Sequence, residues 1–263
     1  MEKLVIYEVQ DQVGTITLNR PEKRNALSPE LITTLTDIFI EASEDDAVKI
    51  LVLKANGEAF SAGADLEYLQ KIQQNSFEEN VADSNLLKKL FTTIYYLPKI
   101  VIAQVEGSAI AGGCGLATVC DFIFATPESN FGYTEVKIGF VPALVSCFLT
   151  QKLSETVVKE ILLTGQIFSA EKALSYKLIN FVTKREDIDL TVKEFALNLC
   201  ETCSSHSLMI TKQLISQTNN PLLEKRLETA VQINARVRES GDFKKGIAAF
   251  LNKVKINWKL TNN

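Results

Sequence analysis

Glu135 is a lone carboxylate in a stretch that is otherwise small and apolar, and a glycine-rich run, residues 109–117, comes shortly before it. Flanking aromatic and aliphatic residues favour partial burial, which raises the pKa of a carboxyl group toward the range useful for proton transfer. Glycine lets the backbone come close to a ligand and leaves N–H groups free to donate to it. The pair therefore indicates an oxyanion hole that faces a proton-transfer group. A glutamate is more often a surface residue, so this context alone leaves both interpretations open.

Two segments of small residues precede Glu135. Residues 58–66 follow a predicted strand, and their turn can present amides to a ligand while Asp65 caps the next helix. Residues 107–120 place glycines ahead of a helical stretch, where amides of partial positive charge favour an anion or a developing oxyanion. An ordinary strand-to-helix connection and close helix–strand packing explain the same residues. The spacing is not GxGxxG and no GK[ST] follows, so a dinucleotide or Walker site is poorly supported.

Alternating strands and helices must position these segments. Short apolar, β-branched runs predict strands, and weak polar alternation predicts that several of them are buried on both faces. They cover residues 3–9, 13–19, 50–54, 100–105, 122–125 and 178–182. Ser28, followed by Pro29, is a predicted N-cap, and Ser154 and Ser169 begin two further helices. We predict an α/β core with right-handed crossovers over residues 1–185 and a helical C-terminal region over residues 186–263.

The composition excludes several classes of protein. The chain has 263 residues, of which 46% are apolar and 23% charged, an ordinary globular composition with enough length for a substantial core. A net charge of -4 argues against a nucleic-acid-binding protein, which would carry a basic stripe. No apolar run is long enough for a membrane span, and the first residues read as a strand rather than a signal peptide.

The cysteines and the histidine limit the expected cofactors. Five cysteines are an odd number in a chain too large to need disulfides, so we expect reduced, buried thiols in a cytoplasmic protein. Cys200 and Cys203 have a CxxC spacing, but they lack a second pair and lie in a helical neighbourhood, which favours a structural role. His206 is the only histidine, so one subunit cannot build a His-based triad or a multi-His metal site. No metal or redox cofactor is expected.

Several short motifs follow one another along nearly the whole chain. They are Asn19-Arg20-Pro21 with Asn25-Ala26-Leu27, Phe60-Ser61-Ala62-Gly63-Ala64-Asp65, residues 107–121, Phe131-Gly132 with Glu135 and Gly139, and Thr164-Gly165 with Ala170 and Ala173. In this order and spacing they resemble the crotonase superfamily of enoyl-CoA hydratases and isomerases. The resemblance implies a crotonase-like spiral of ββα units and a C-terminal helical region that packs the chains into homotrimers, often paired into homohexamers.

The resemblance also implies a site for an acyl-CoA thioester. The backbone amides of Ala64 and Gly112 would hold its carbonyl oxygen, with Glu135 as the catalytic acid and base. Coenzyme A would enter as part of the substrate, not as a separate cofactor. Its contacts would be Ala62 and Leu66 near the adenine, Arg24 at a phosphate, and Phe250 and Lys253 from the C-terminal region, in relatives sometimes from a neighbouring subunit.

Two departures from the family pattern bear on the mechanism. Family hydratases usually carry a second catalytic glutamate in the glycine run, where this chain has Gly115. They also commonly continue with a Pro-Gly-x-Gly-Gly turn, where residues 141–146 read Val-Pro-Ala-Leu-Val-Ser and would reshape the acyl pocket. The run over residues 139–146 looks like that of bacterial methylglutaconyl-CoA hydratases.

These features leave several functions open. The leading hypothesis is a hydratase of a short or branched 2-enoyl-CoA that uses Glu135 alone. A Δ3,Δ2-enoyl-CoA isomerase is favoured by the missing second carboxylate. Decarboxylation of a glutaconyl-type thioester needs the same oxyanion hole, but it does not need Glu135. A non-catalytic acyl-CoA binder is disfavoured by the retention of Glu135 in an apolar segment, although fold alone never proves chemistry.

Overall fold

The computed structural model describes residues 3–219 and 222–258, and its strands form two sheets. In chain order the strands are β1 (Val5–Gln10), β2 (Val13–Leu18), β3 (Ile50–Ala55), β4 (Ala59–Ser61), β5 (Ile100–Val105), β6 (Ser108–Ile110), β7 (Phe122–Ala125), β8 (Asn130–Gly132), β9 (Ile167–Ser169) and β10 (Phe181–Val182). The main sheet has the order β1-β2-β3-β5-β7-β10, and the smaller sheet has the order β4-β6-β8-β9.

Helices surround both sheets. They are α1 (Pro29–Glu44), α2 (Leu66–Lys71), α3 (Phe77–Tyr95), α4 (Gly112–Thr118), α5 (Ala143–Lys152), α6 (Glu155–Thr164), α7 (Ala170–Ser175), α8 (Ile188–Thr202), α9 (Ser205–Asn219), α10 (Leu223–Val237) and α11 (Gly241–Leu251). Short 3-10 turns lie at Pro21–Lys23, Ile72–Gln74 and Glu135–Ile138. In the described part of the chain, no helix combines the length and the apolar character that crossing a membrane would require.

The centre of the main sheet is buried on both faces, which explains the unbroken apolar runs of its inner strands. Every residue of β5 is buried, as parallel strands between two layers are. From β2 to β10 the pairing is parallel, and β1 pairs antiparallel with β2. Ile188, Val192 and Ala196 of α8 cover one face, while α1 and α3 lie in the larger core. The predicted α/β fold is confirmed.

Most of the main-sheet strands are close to their predicted bounds, and β5 and β7 match them. The last prediction, over residues 178–182, is too long. Only Phe181–Val182 pair with β7, because Leu178 and Ile179 are buried in the turn that follows α7. Periodicity did not predict the strands of the smaller sheet, since segments of three residues are too short to show a periodic pattern, although the resemblance implied a second strand in each ββα unit.

The two sheets arise from a repeated β-β-α unit. β3, β5 and β7 of the main sheet are each followed by a short strand of the smaller sheet, β4, β6 and β8, and the chain then enters α2, α4 or the turn before α5. Because β4, β6 and β8 are parallel neighbours, the chain leaves all three at the same edge. That edge is where the three predicted site segments meet.

The C-terminal helices pack back onto this core. α10 lies against α3 and α5, and α11 lies against the Glu135–Ile138 turn. Gly246 of α11 makes that approach possible, because a Cβ there would lie 2.0 Å from the carbonyl oxygen of Ile138. The division of the chain at residues 185 and 186 stays a prediction.

Candidate active site

The turn after β4 places Ala64 beside the start of α4. Gly63 adopts a φ of +87°, a conformation that favours glycine, and a Cβ on it would lie 2.9 Å from the Ile110 carbonyl oxygen and 3.6 Å from the Gly112 nitrogen. Leu27 clamps the turn from the other side: its N–H donates to the Gly63 carbonyl at 2.7 Å, and its carbonyl accepts from Asp65. These two bonds use the carbonyl of Gly63 and the N–H of Asp65, the residues on either side of Ala64. The N–H of Ala64 itself has no acceptor among the described residues.

Asp65 fixes the exit of this turn into α2. Its side chain accepts from the backbone N–H groups of Glu67 and Tyr68, which makes it the predicted N-cap. Arg20 lies 2.7 Å from its other oxygen. Burial alone would raise the pKa of Asp65, but the hydrogen bonds from Tyr68 and Arg20 outweigh burial and lower it. A charged Asp65 therefore ties the Ala64 turn to both α2 and the Arg20 segment.

Gly112 begins α4, and its N–H is one of the first-turn groups that a helix leaves unpaired. No acceptor for it exists among the described residues. The preceding Ala111 has a φ of 50°, a strained conformation for a residue with a side chain, and its own N–H donates to Gly132 of β8 at 2.7 Å. The structure thus brings two unpaired amides, those of Ala64 and Gly112, to adjoining turns. An oxyanion hole needs two such donors, and this role for Ala64 and Gly112 stays a prediction.

Glu135 follows β8 at the same sheet edge. Only 7% of the residue is exposed, and its Oε2 has no hydrogen-bond partner among the described residues. Burial raises its pKa to about 7, while its own backbone amide acts weakly in the opposite direction. The expected burial is therefore confirmed. A carboxyl group with this pKa is available both as a base and as an acid near neutral pH.

The polar groups packed around Glu135 are buried and do not ionise near neutral pH. Cys114 of α4 lies beside it, and burial raises the pKa of this thiol to about 12. Tyr133 is fully buried, and its hydroxyl lies 2.5 Å from the Thr118 Oγ1. Burial raises the pKa of this phenol well above its usual value. Of these three groups, Glu135 alone has a pKa near neutrality, and its role in proton transfer stays a prediction.

The glycine run was expected to precede the helix, but Gly115 lies inside α4. A Cβ on Gly115 would lie 2.9 Å from the Cζ of Phe91 and 3.4 Å from Val145. Phe91 is itself buried against Phe148, with ring centroids 6.1 Å apart and nearly perpendicular rings. The space beside Gly115, where the resemblance places the second glutamate of family hydratases, is therefore filled by the side chain of Phe91.

A second buried polar cluster lies near the far end of the Glu135 turn. Phe140 closes that turn by donating its N–H to the Glu135 carbonyl at 3.0 Å, and the Arg238 guanidinium lies 5.5 Å from its ring centroid. Arg238 in turn pairs with Asp83 at 2.6 Å, and Tyr68 donates its hydroxyl to the same carboxylate. Sequence analysis did not single out this cluster, because its members come from three helices without a shared motif.

Comparison with known proteins agrees with this geometry. The family model for enoyl-CoA hydratase/isomerase matches residues 8–261. The chain belongs to the enoyl-CoA hydratase/isomerase family. It is 40% identical over 241 residues to a Thermus thermophilus protein whose name assigns it provisionally to the enoyl-CoA hydratases, a match that covers 92% of this chain and 95% of that one. The fold class and the enzymatic character predicted from the sequence are therefore confirmed.

Other relatives of this enzyme include both kinds of activity. A crotonyl-CoA hydratase of Syntrophomonas wolfei is 30% identical, and the match covers 97% of each chain. A trans-2-decenoyl-[acyl-carrier-protein] isomerase of Streptococcus mutans is 26% identical over 95% of this chain and 96% of its own. The crystal structure of an enoyl-CoA hydratase from Mycobacterium avium superposes with a TM-score of 0.88 at 32% identity, covering 98% of this chain and 100% of that one.

The residues assigned to coenzyme A by resemblance lie at two places in the enoyl-CoA hydratase/isomerase fold. Ala62 donates its N–H to the carbonyl of Arg24 at 3.0 Å, so these two adjoin beside the Ala64 turn. Phe250 and Lys253 lie at the end of α11, both exposed. The side chain of Leu66 lies outside the described residues. The roles of all five stay predictions.

A cavity of about 600 Å³ adjoins the Glu135 turn without including Glu135 itself. It lies between that turn, α5, α6 and α10, and its lining includes Val136, Pro142, Leu162, Lys225, Arg226 and Ile233. The two cations face an otherwise apolar surface.

No group of three or more His, Cys, Asp or Glu side chains within residues 3–219 and 222–258 is arranged to hold a metal ion.

Proposed function

We propose that this protein adds water to a short or branched 2-enoyl-CoA, with Glu135 as its one catalytic acid and base. The observation that carries the proposal is a buried carboxyl group of pKa about 7 at the same sheet edge as two unpaired backbone amides. Coenzyme A belongs to the substrate, and Ala64 and Gly112 donate to its thioester oxygen. Each such donor typically lowers the barrier by about 3–4 kcal/mol.

One carboxyl group suffices if the same water supplies both the hydroxyl and the proton. Ionised Glu135 takes a proton from water while the water oxygen bonds to Cβ. The π electrons of the double bond move toward the thioester oxygen, and the enolate is held by the amides of Ala64 and Gly112. Protonated Glu135 then returns that proton to Cα, the enolate collapses to the thioester, and the carboxylate is restored.

Turnover of 2-enoyl esters in H2(18)O tests this proposal. Crotonyl-CoA and 3-methylcrotonyl-CoA are incubated with the protein, and the products are read by mass and by loss of the conjugated absorbance. We expect one ¹⁸O atom on the product and no incorporation with Glu135→Gln. Hydration that survives this substitution would overturn the role of Glu135.

Double-bond isomerisation is the second candidate, and the contact between Gly115 and Phe91 favours it. A Δ3,Δ2-isomerase needs one carboxyl group to remove the α proton and return it to Cγ, and no second acid has room beside Phe91. The same two amides would hold the dienolate. Incubation with 3-hexenoyl-CoA separates the candidates, since conversion to the conjugated isomer without uptake of water would replace the hydratase proposal.

The proposal also specifies the acyl group of the substrate. The run over residues 139–146, with Pro142 and bulky neighbours in place of glycines, supports a branched acyl group such as 3-methylglutaconyl. In the structure, residues 141–143 line the cavity beside the Glu135 turn. A higher kcat/KM for 3-methylglutaconyl-CoA than for crotonyl-CoA is the expected result, and the reverse order would point to a straight-chain substrate.

Assembly into a homotrimer or homohexamer is also part of the proposal. Large apolar side chains are exposed on α6, α9 and α10: Leu163 is 72% exposed, Leu214 58%, Ile215 56% and Ile233 48%. A surface of this kind is more typical of subunit contacts than of a monomer. Sedimentation equilibrium should give three or six times the chain mass, and Leu214→Asp should lower it, whereas a monomeric wild-type protein would contradict the assembly.

A further inference from the structure

Asn25 is a fully buried asparagine beside the turn that carries Ala64. The oxygen of its side-chain amide accepts from the N–H of Arg20 at 2.8 Å. Its Nδ2 donates to the carbonyls of Asn56 and Ala59, each at 2.9 Å. Only this orientation of the amide satisfies all three partners, because the oxygen cannot donate. One side chain therefore ties the segment that precedes it to both ends of the connection between β3 and β4.

The backbone at this asparagine is left-handed. Arg24 and Asn25 have φ angles of 52° and 51°, a region that few residues other than glycine adopt and that asparagine tolerates better than most. In this conformation the Arg24 carbonyl accepts from the N–H of Ala62 at 3.0 Å. The Asn25 carbonyl accepts from Ser61 Oγ at 2.8 Å, and the same Oγ accepts from the N–H of Gly63 at 3.4 Å. The left-handed segment thus supports the chain directly before the predicted oxyanion donor.

The next contact sets the direction of the Ala64 N–H. Leu27, two residues after Asn25, donates its N–H to the Gly63 carbonyl at 2.7 Å. That carbonyl and the Ala64 N–H belong to one peptide unit, which is planar and trans, so the two groups point in opposite directions. Because Leu27 fixes the carbonyl, the N–H of Ala64 is aimed away from the segment that Asn25 holds.

We propose that Asn25 is a positioning residue for the reaction: its side chain holds residues 24–27 so that the Ala64 N–H is aimed at the thioester oxygen before the substrate binds. The inference rests on the proposed function and deepens it. A preorganised donor stabilises the charge that develops on the oxygen in the transition state. Loss of the Asn25 side chain should therefore lower kcat with little change in KM.

Infrared difference spectroscopy of a bound saturated thioester measures the donors without turnover. Butyryl-CoA with ¹³C at the thioester carbonyl cannot be hydrated, and hydrogen bonds from the two amides lower the stretching frequency of its C=O bond. We expect the wild-type protein to lower this frequency. Asn25→Gly keeps the left-handed backbone and removes the side chain, so it should lose much of the shift with little change in affinity. With crotonyl-CoA, its kcat should fall about 10²-fold, as for loss of one donor.

Asn234→Ala is the matched control, since it removes the same amide from another buried position. Asn234 of α10 is 6% exposed, and its Oδ1 accepts from the Ser84 Oγ of α3 at 2.9 Å, outside the turns that carry Ala64 and Glu135. This variant should lose stability in urea and keep both the frequency shift and kcat. If Asn25→Gly does not fold, Ser61→Ala replaces it. That change removes the hydroxyl between the Asn25 carbonyl and the Gly63 N–H, and it should lose a smaller part of the shift.

The possible outcomes separate the inference from the proposed function. The inference is overturned if Asn25→Gly, or Ser61→Ala in its place, keeps the full wild-type shift, or if Asn234→Ala loses the shift to the same extent. A wild-type protein that fails to bind butyryl-CoA, or binds it without a shift, would refute the oxyanion hole and this inference together. The expected shifts without turnover of any 2-enoyl or 3-enoyl ester would refute the proposed function and leave the inference about Asn25 standing.

Discussion

The Cζ atom of Phe91 lies 2.9 Å from the point at which a side chain on Gly115 would begin. The resemblance to the crotonase superfamily places Gly115 where family hydratases usually carry one of two catalytic glutamates. Its neighbour is a ring that is 1% exposed, packed against Phe148. The space beside Gly115 is therefore already occupied, and a glutamate side chain there would have to displace Phe91.

Restoring the glutamate should damage the protein. Gly115→Glu forces a large side chain and a charge into the space next to Phe91, and we expect it to lower the free energy of unfolding by about 3 kcal/mol or more. Urea denaturation measures the effect. In Gly115→Glu/Phe91→Ala the loss should be smaller than the sum of the two single losses, since each change makes room for the other.

The matched control for this substitution is Gly241→Glu. No atom lies within 4 Å of a Cβ at Gly241, and the position opens α11, where an acidic side chain is favourable. This variant should have nearly wild-type stability. Strictly additive losses in the double variant would show that Phe91 is not what excludes a side chain from position 115.

Substitution of Gly63, in the turn that carries Ala64, should lower kcat as well as stability, unlike substitution of a comparable glycine elsewhere. Gly63→Ala places a methyl group 2.9 Å from the Ile110 carbonyl oxygen at a φ of +87°, so the turn must move away from Gly112. We expect the variant to lose about 1–3 kcal/mol of stability and about 10²–10³-fold in kcat. Both are measured on the purified variant, by urea denaturation and by steady-state turnover.

Gly57→Ala separates the two effects. Gly57 has a similar φ of +92°, and a Cβ there would meet Pro21 at 2.7 Å, so the conformational cost is comparable. It lies before β4, outside the two turns that carry the unpaired amides. Gly57→Ala should lose stability and keep its kcat. If both variants lose turnover equally, the effect of Gly63→Ala is general destabilisation, and the amide of Ala64 is not specifically required.

Sequence patterns indicated the main sheet because its strands are long and apolar on both faces, as β5 shows. They also indicated the Asp65 cap, since its side chain acts on its own backbone within three residues. Glu135 was found through its apolar neighbours along the chain. Features of this kind depend on residues that are close together along the chain, so a single sequence is enough to predict them.

The parts that could not be predicted depend on contacts between distant segments. β4, β6 and β8 are too short for any periodicity, and they exist because each continues from a strand of the main sheet. Arg238 and Asp83 are 155 positions apart, and each looks like an ordinary helix-surface charge until the helices pack. Likewise, nothing next to Gly115 along the chain indicates that Phe91 fills the space beside it.

Glu135 should make the stability of the protein depend on pH. Its pKa is raised from 4.5 to about 7 by burial, so the unfolded chain ionises first as the pH rises. The stability is fully present below the unfolded value and is lost as the pH rises toward the folded value. Glu135→Gln cannot ionise. Its free energy of unfolding should therefore exceed that of the wild-type protein by an amount that grows over this window to about 3 kcal/mol.

Urea denaturation of both proteins across this pH range measures the difference. Other carboxyl groups titrate in both proteins, so their contributions cancel. A difference that stays constant with pH would mean that Glu135 has similar pKa values in the folded and unfolded states. Its burial would then not control its protonation.

The rate should follow the ionisation of the same group. Glu135 must be ionised to take a proton from water or from Cα, so kcat/KM should rise with pH through an apparent pKa of about 7 and then become constant. Cys114, the nearest thiol, does not ionise in this range, because burial raises its pKa to about 12. Glu135→Gln should lower kcat/KM about 10²–10⁴-fold and abolish the inflection, while His206→Gln, which removes the only histidine, should retain it. A wild-type profile that falls through pH 7 would instead assign the first step to protonated Glu135, and the order of proton transfers proposed above would be wrong.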